Sequence, residues 1–306
     1  MIGIQEIATY LPEKRLSNFD LVKKFELEPG FIENKIGISS VSIKEPNEEA
    51  SDLCVKAFRL LEAKTEIDKS KIDCLIVVTQ NGDYNLPHTS AIVHGKLDMQ
   101  EKCACFDISL GCSGFVYGLS VIESFMSSNN YSKGLLFTAD PYSKVIDNND
   151  KNTRLLFGDA ATVTLITNQP VLTSGKFNFG TIGKDYENLI CKNNILQMNG
   201  RMIFNFAAKY VPEDIKDLLL NNNIELDEID LFVFHQGSKF IVDTITKRMK
   251  IESNKVPFNI QNFGNTISSS IPIILEEVIA NKSIKKIVVC GFGVGLSWSS
   301  TILTKI

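Results

Sequence analysis

A chain of 306 residues with 44% hydrophobic and 22% charged residues has the composition of a globular enzyme and not of a disordered protein. Its formal net charge of −4 argues against a nucleic-acid-binding surface over the whole molecule. Seven cysteines without a CxxC pair, and only three histidines, argue against a zinc site, so no metal is predicted. The sequence shows neither a signal peptide nor an apolar run of ~20 residues, which predicts a soluble cytoplasmic protein with free thiols and no membrane contact.

Short apolar runs alternate with longer amphipathic segments along the whole chain. Strands are predicted, in chain order, at 74–79, 103–108, 134–139, 161–166, 231–235, 286–291 and 299–304. Helices are predicted at 49–64, 113–128, 203–221, 238–250 and 268–280, and the polar segment 192–201 is predicted to be a loop. This alternation is typical of an α/β fold with mostly buried sheets.

Three segments of the first half recur in the second half in the same order. The matching pairs are 71–80 with 228–236, 103–114 with 256–268, and 134–140 with 286–292, at offsets of 152–157 residues. The alternative interpretation is that these segments resemble one another only by chance, because buried strands have similar apolar sequences. The nearly constant offset favours two related halves, predicted at 1–167 and 168–306.

Cys112 stands where a predicted strand turns into a predicted helix, between small residues in "DISLGCSGFVYGL". The unpaired N–H groups and the dipole at a helix N-terminus stabilise a thiolate. A nucleophilic thiolate at this place can accept an acyl group from a thioester. The alternative is a small cysteine that only packs in the core.

His235 and Asn265 are the two polar residues that the repeat brings into relation with Cys112. Asn265 occupies the position equivalent to Cys112. His235 ends the first matched strand of the second half, and binding and catalytic sites of α/β sheets usually lie at such carboxyl ends of strands. A satisfied structural histidine and an ordinary helix-capping asparagine remain alternatives. Neutral histidine and asparagine can jointly donate to a thioester oxygen as it becomes an enolate, which suits decarboxylation without a metal.

The sequence resembles the β-ketoacyl-[acyl-carrier-protein] synthase III family of the thiolase superfamily over nearly its whole length. The motifs that carry the resemblance include "LPHTSA" (86–91), "DISLGCSGFVYGL" (107–119), "RLLFGDAATVTL" (154–165), "HQGS" (235–238), "FGNTISSSIP" (263–272) and "GFGVGLSW" (291–298). The resemblance implies a five-layered αβαβα thiolase-like fold built from two duplicated halves, and a homodimer. It also implies that Cys112, His235 and Asn265 are catalytic, that the N–H groups of Cys112 and Val294 hold an oxyanion, and that no cofactor is permanently bound.

The resemblance also implies substrate-binding positions, several of which differ from the family pattern. The family's Trp that stacks on the adenine of CoA matches Phe31, and two family Arg residues match Lys35 and Lys151. Leu86 matches a position that limits the acyl pocket, Phe204 matches a residue near the pantetheine channel, and Ser238 ends "HQGS" where the family has "HQAN".

The resemblance is weaker at the positions that dock the acyl carrier protein. A family Arg that contributes to docking is replaced by Phe240, although Lys247, Arg248 and Lys250 cluster at the end of a predicted helix. This cluster is either a solvated helix end or a docking site for an acidic acyl carrier protein.

The leading hypothesis is an acyltransferase that condenses a short acyl-CoA with a malonyl thioester through an acyl-Cys112 intermediate. One alternative uses the same acyl-enzyme to acylate an oxygen or nitrogen nucleophile in specialised metabolite or surface-saccharide synthesis. Another is a non-catalytic partner subunit that only binds an acyl carrier. The sequence does not specify the acyl chain length.

Overall fold

A computed structural model describes residues 1–306, which form thirteen strands and seven α-helices, with short 3-10 turns and one π-helical turn (Ile32–Ile36) between them. The strands are Gly3–Tyr10 (β1), Arg15–Ser17 (β2), Ser40–Ser42 (β3), Cys74–Val78 (β4), Ala104–Ile108 (β5), Lys133–Ala139 (β6), Ala161–Thr167 (β7), Leu172–Thr181 (β8), Leu189–Lys192 (β9), Ile195–Met198 (β10), Leu231–Phe234 (β11), Lys286–Gly293 (β12) and Ser297–Lys305 (β13). The α-helices are Ala50–Lys64 (α1), Thr89–Leu97 (α2), Gly114–Asn129 (α3), Lys151–Arg154 (α4), Gly200–Asn222 (α5), Lys239–Met249 (α6) and Ser270–Ile279 (α7).

Nine strands form one sheet in the order β11-β12-β13-β8-β1-β7-β6-β4-β5. Its two parts meet only at β1 and β8, where Ile4 is paired with Leu172. Strand β4 runs parallel to β5 and β6, β11 runs parallel to β12, and the remaining neighbours are antiparallel. The strands β4-β6-β7-β1 and β11-β12-β13-β8 therefore share one arrangement, in which two parallel strands are followed by two antiparallel ones, and β5 adds a further parallel strand to the first part only.

The helices divide into three layers around the two parts of the sheet. Helices α3 and α7 share one apolar cluster with β4 on one side and β11 and β12 on the other, so they form the central layer. Helices α1 and α2 cover the outer face of the first part, and α5 covers the outer face of the second part with α6 packed against it. The result is the predicted five-layered αβαβα architecture.

The boundary between the predicted halves lies in the turn between β7 and β8. Equal strand order on both sides agrees with a duplication, while the division at residues 167 and 168 stays a prediction.

The segment 192–201 is not a loop as predicted. Strands β9 and β10 pair as a hairpin, and the turn between them is made by Asn193 and Asn194, which both have positive φ, 51° and 60°. Asparagine adopts this left-handed conformation more readily than most residues, so two adjacent asparagines allow a tight hairpin turn. No helix of the structure is both long and apolar enough to cross a bilayer.

Candidate active site

The Cys112 thiol lies in the turn between the edge strand β5 and helix α3, as predicted. A hydrogen bond of 2.7 Å from the Gly114 N–H to the Gly111 carbonyl closes this turn. Only 4% of Cys112 is exposed, so a substrate reaches the sulfur through the cavity that the thiol lines.

The end of β12 passes so close to the thiol that only glycine fits there. A Cβ atom on Gly293 would lie 2.8 Å from both Cβ and Sγ of Cys112, and one on Gly291 would lie 2.5 Å from the Cys112 carbonyl oxygen. The glycine-rich run therefore serves close backbone approach to the nucleophile and not dinucleotide binding.

Replacing Gly293 with alanine should slow acylation of Cys112 about 100-fold, because the new methyl group displaces the sulfur from its position. The rate of acyl-adduct formation, followed by intact mass, measures the effect. Gly183→Ala is the matched control, since a Cβ there meets no atom within 4 Å and should leave the rate unchanged. An unchanged rate for Gly293→Ala would mean that this close approach has no bearing on the nucleophile.

Two backbone N–H groups point to the sulfur, those of Val294 and of Cys112 itself. They are the groups predicted to hold the oxyanion. Burial raises the pKa of the Cys112 thiol to about 12, the Asp140 carboxylate raises it further, and the two N–H groups oppose this only in part. The sequence predicts a stabilised thiolate at the helix start, whereas burial keeps the free group a protonated thiol at neutral pH.

His235 follows β11 directly and is held in place from three sides. Its N–H donates to the Cys290 carbonyl at 2.8 Å, its ring Nδ1 lies 2.8 Å from the Ser270 Oγ, and its ring packs edge-on against Phe292 with centroids 5.5 Å apart. Burial lowers the pKa of His235 to about 3, opposed only weakly by a backbone hydrogen bond with Ile267. The imidazole is therefore neutral at physiological pH, as the sequence argument requires.

The buried neutral imidazole makes the folded state sensitive to acid. Because the pKa of His235 falls from an ordinary 6.5 to about 3 on folding, the unfolded chain binds the proton more tightly. As the pH falls from about 6.5 to about 3, protonation of this residue should therefore lower the free energy of unfolding by up to about 1.4 kcal/mol per pH unit. Urea unfolding of wild type and His235→Gln at several pH values measures the difference, and parallel pH profiles for the two proteins would contradict it.

Asn265 presents its amide nitrogen to the imidazole. Its Oδ1 accepts a hydrogen bond of 2.9 Å from the Ile267 N–H, which fixes the orientation of the amide group, and its Nδ2 lies 3.5 Å from Nε2 of His235. The Ser270 Oγ lies 2.8 Å from Nδ1 and 3.0 Å from the Ile267 carbonyl oxygen, and in the tautomer in which its hydroxyl donates to Nδ1, Nε2 carries the ring proton. Two neutral donors then converge on one point, where a substrate oxygen can accept from both.

One cavity of about 360 Å³ joins the three predicted catalytic side chains. It is mainly apolar, and its lining comprises Phe31, Lys35, Ile36, Cys112, Leu156, Phe157, Leu189, Met198, Gly200, Arg201, Ile203, Phe204, His235, Gly237, Ser238, Phe240, Ile241, Asn265, Phe292 and Gly293. The charged residues among these are Lys35 and Arg201, both cationic, so the cavity favours an anionic ligand.

Four of the predicted substrate-binding residues line this cavity, namely Phe31, Lys35, Phe204 and Ser238. Phe204 stacks on Phe240 with ring centroids 4.9 Å apart and planes inclined by 22°. The Lys35 ammonium lies 5.7 Å from the centre of the Phe31 ring. Phe240 is 52% exposed, which leaves part of this aromatic pair open to solvent.

Two predicted substrate-binding residues lie outside the cavity lining. Leu86 is 86% exposed, and Lys151 begins the short helix α4 with its side chain exposed. Their roles stay predictions that rest on the resemblance alone.

The predicted docking residues Lys247, Arg248 and Lys250 are all exposed at the end of α6. Arg248 donates a hydrogen bond of 2.8 Å to the Ala208 carbonyl of α5, so this side chain also fastens two helices together. The structure contains no group of three or more histidine, cysteine or acidic residues placed to hold a metal ion.

Sequence reasoning did not single out two side chains of the site. Arg201 adds a second cation to the cavity from the first turn of α5, and its signal was a basic residue at the end of the predicted loop. Ser270 orients His235 from the start of α7, and nothing in the run "TISSSIP" distinguishes this serine from its neighbours.

Comparisons with known proteins identify the family of the chain. The model of the family described as 3-oxoacyl-[acyl-carrier-protein (ACP)] synthase III matches residues 106–183, and the model of its C-terminal part matches residues 219–305. The chain is 33% identical to the beta-ketoacyl-[acyl-carrier-protein] synthase III of Lactococcus lactis subsp. cremoris, over 98% of each chain.

Solved structures give the same result. A crystal structure of a 3-oxoacyl-(acyl-carrier-protein) synthase III superimposes with a TM-score of 0.93 at 32% identity, covering 99% of each chain. The synthase III of Thermus thermophilus superimposes with a TM-score of 0.92 at 27% identity, covering 99% of this chain and 98% of the other. Because the fold, the motifs and the near-complete coverage of the matched relatives agree, the chain belongs to the 3-oxoacyl-[acyl-carrier-protein] synthase III family, the acyl-transferring enzymes of the thiolase superfamily.

Proposed function

We propose that this protein condenses a short acyl-CoA with a malonyl thioester, with loss of carbon dioxide, through an acyl-Cys112 intermediate. The observation that carries the proposal is the convergence of one buried thiol and two neutral donors, on His235 and Asn265, in a single apolar cavity. A nucleophile alone would serve any acyl transfer, whereas the donor pair suits a reaction that develops an enolate.

In the first step, the Cys112 sulfur attacks the carbonyl carbon of the acyl thioester. The new bond joins sulfur and carbon, the bond to the CoA sulfur breaks, and the thiol proton leaves with the CoA thiolate. The N–H groups of Val294 and Cys112 stabilise the negative oxygen of the tetrahedral intermediate.

In the second step, the malonyl thioester loses carbon dioxide and its electron pair moves to the thioester oxygen. In the ring tautomer whose Nδ1 accepts from the Ser270 hydroxyl, the His235 Nε2–H and the Asn265 Nδ2–H both donate to this enolate oxygen. The enolate carbon then attacks the acyl carbon, the bond to sulfur breaks, and the released Cys112 thiolate regains a proton. A neutral imidazole suits this step, because an imidazolium would bind the departing carboxylate more tightly in the ground state.

Both substrates would enter as thioesters of a phosphopantetheine arm, carried either by CoA or by acyl carrier protein. The cations Lys35 and Arg201 suit the phosphate groups of such an arm, and the exposed Lys247 and Arg248 suit an acidic carrier protein. CoA and carrier-protein thioesters are thus substrates, with no permanently bound cofactor in the scheme.

We further propose that the protein is a homodimer in which strand β5 pairs with its copy. Strand β5 ends the nine-stranded sheet, and all five of its residues are half-buried. The Ala104 N–H bonds to the neighbouring segment, so alternation turns the Cys105 N–H outward to an unpaired edge. Two such edges can pair about a two-fold axis and continue the sheet.

Replacing Cys105 with proline should weaken dimerisation at least about tenfold, because proline lacks the outward N–H but keeps the pairing with β4. Sedimentation or light scattering over a concentration series measures the dimer fraction. Cys105→Val is the matched control, since it retains the N–H and should remain dimeric. A dimer of wild-type strength in Cys105→Pro would place the interface elsewhere.

We propose a cytoplasmic location, which the free state of all seven cysteines supports, since secreted proteins usually pair their thiols.

The condensation is tested by offering a panel of acyl-CoA substrates and then a malonyl thioester labelled in its free carboxyl group. An acyl adduct in the intact mass, followed by labelled carbon dioxide and a 3-oxoacyl product, is the expected result. An adduct transferred to an alcohol or amine without carbon dioxide release would favour the oxygen or nitrogen acyltransferase instead. Absence of any adduct with every acyl-CoA and acyl carrier protein tested would overturn both enzymatic functions.

A further inference from the structure

Behind the catalytic cavity lies a carboxylate that the reaction scheme does not use. Asp140 follows β6 and is fully buried. Its Oδ1 accepts a hydrogen bond of 2.7 Å from the Gln80 N–H, and its Oδ2 accepts one of 2.5 Å from the Ser268 hydroxyl. The Ser268 N–H is a third donor to the same carboxylate. Asp140 thus links the first half of the chain to the turn just after Asn265.

The turn held by Asp140 has an unfavourable backbone conformation at its centre. Ile267 has φ of 54°, in the left-handed region that β-branched residues rarely adopt. This same conformation lets the Ile267 N–H donate to the Asn265 Oδ1 and so orients the amide. A strained residue persists only where its surroundings hold it firmly.

Contacts from the first half supply that restraint on both residues after Ile267. Ser268 is bound by Asp140, and the Ser269 hydroxyl lies 2.8 Å from the Thr138 Oγ1 and 3.2 Å from the Thr138 carbonyl oxygen. All four residues are buried, so no water competes for these hydrogen bonds.

The same network reaches the turn that carries the nucleophile. A Cβ atom on Gly111 would lie 2.5 Å from the Gln80 Oε1 and 3.3 Å from the Ile267 Cγ2. Gln80, whose N–H binds Asp140, therefore lies against the residue before Cys112. The thiol and the amide are placed relative to each other through this one region.

We propose that Asp140 is a positioning residue, whose carboxylate holds the Asn265 turn against the first half and so aligns the enolate donors with the thiol. This inference rests on the proposed function, because it assigns Asn265 the role of donor to a substrate oxygen. Asp140 itself is not among the residues that line the cavity.

The charge of Asp140 provides a readout that a merely structural residue would lack. Its carboxylate raises the pKa of the thiols of Cys112 and Cys54 and of the Tyr142 phenol. Burial raises the pKa of Asp140 to about 6, opposed by the hydrogen bonds from Ser268 and Gln80, and no cationic group contributes to this shift. At pH 8 to 9 the group is ionised, so its removal should make Cys112 more reactive while decarboxylation falls.

The test compares Asp140→Asn and Ser268→Ala with the control Asp214→Asn. Asp214 is also a buried carboxylate, bound by Trp298 and Ser300, and lies outside the catalytic cavity. Two quantities are measured: kcat and KM for malonyl-thioester decarboxylation, and the rate of Cys112 alkylation by iodoacetamide at pH 8 to 9, followed on its peptide by mass spectrometry.

For Asp140→Asn, kcat should fall about tenfold or more with little change in KM, while alkylation of Cys112 becomes about threefold faster or more. Ser268→Ala loosens the same turn but keeps the charge, so its kcat should also fall without faster alkylation. Asp214→Asn should match wild type in both measurements.

The inference is overturned if kcat of the Asp140 variant stays within about twofold of that of Asp214→Asn. If Asp140→Asn does not fold, the kcat of Ser268→Ala is the deciding measurement. A lower kcat than that of wild type supports the positioning role of Asp140, and an unchanged kcat excludes it. Failure of the proposed function has a different signature, since wild type would then release no carbon dioxide, while the effect of Asp140 on alkylation would remain measurable.

Discussion

Replacing Cys112 with alanine should abolish the acyl adduct and lower condensation by at least about 10⁴-fold, while decarboxylation of the malonyl thioester persists. The covalent intermediate requires the sulfur, and no second thiol lines the cavity. The donors of the decarboxylation step are held by other groups, His235 by Ser270 and Asn265 by Ile267. An enolate formed without an acyl partner takes up a proton, so carbon dioxide is still released.

The adduct is measured by intact mass after incubation with acyl-CoA, and decarboxylation by release of label from the malonyl carboxyl group. Cys74→Ala is the matched control, because Cys74 is an equally buried free cysteine in β4 outside the cavity. It should keep both the adduct and the condensation rate. An adduct that survives in Cys112→Ala, or disappears in Cys74→Ala, would assign the nucleophile to another residue.

Much of the fold follows from the sequence because several strands of the sheet are buried on both faces. All five residues of β4 and all four of β11 are buried, so each appears as an uninterrupted apolar run. Strand β8 was missed, since its residues 174–181 are half-buried or exposed and include two glycines. Strand β1 has two buried pairs separated by half-exposed residues, a pattern that suits neither strand nor helix period.

The site could be predicted where a reactive side chain follows an apolar strand. Cys112 and His235 both stand at such places, and the internal repeat pointed to Asn265 as the counterpart of Cys112. Asp140 follows β6 in the same way, but its importance depends on Ser268, which is 128 residues away. Pairings over such distances are set by the packing of the two halves and leave no local pattern.

The electrostatics of the site could not be predicted from the sequence either. The start of α3 suggests a stabilised thiolate, yet burial outweighs it and raises the pKa of Cys112. The resemblance assigns Leu86 and Lys151 to substrate-binding positions, but their side chains lie outside the cavity of one chain. Burial and distance are properties of the whole fold, so a motif alone cannot supply them.

Changing Asn265 to aspartate should lower the kcat of decarboxylation at least about 10³-fold, which is the second large effect expected. The carboxylate keeps an oxygen for the Ile267 N–H, so the turn retains its hydrogen bond. In place of the Nδ2 donor it presents a second acceptor with negative charge toward the enolate oxygen. The variant should still form the acyl adduct, because Cys112 and its two N–H groups are unchanged.

Decarboxylation kinetics of Asn265→Asp, Asn265→Ala and His235→Ala separate donor loss from charge repulsion. Each alanine variant loses one donor and should retain about 1/100 to 1/1000 of the rate, whereas the aspartate variant should be slower than Asn265→Ala. Because both donors serve one oxygen, the double alanine variant should lose less than the product of the single losses. Multiplicative losses, or an aspartate variant faster than the alanine variant, would mean that the two side chains do not share an enolate oxygen.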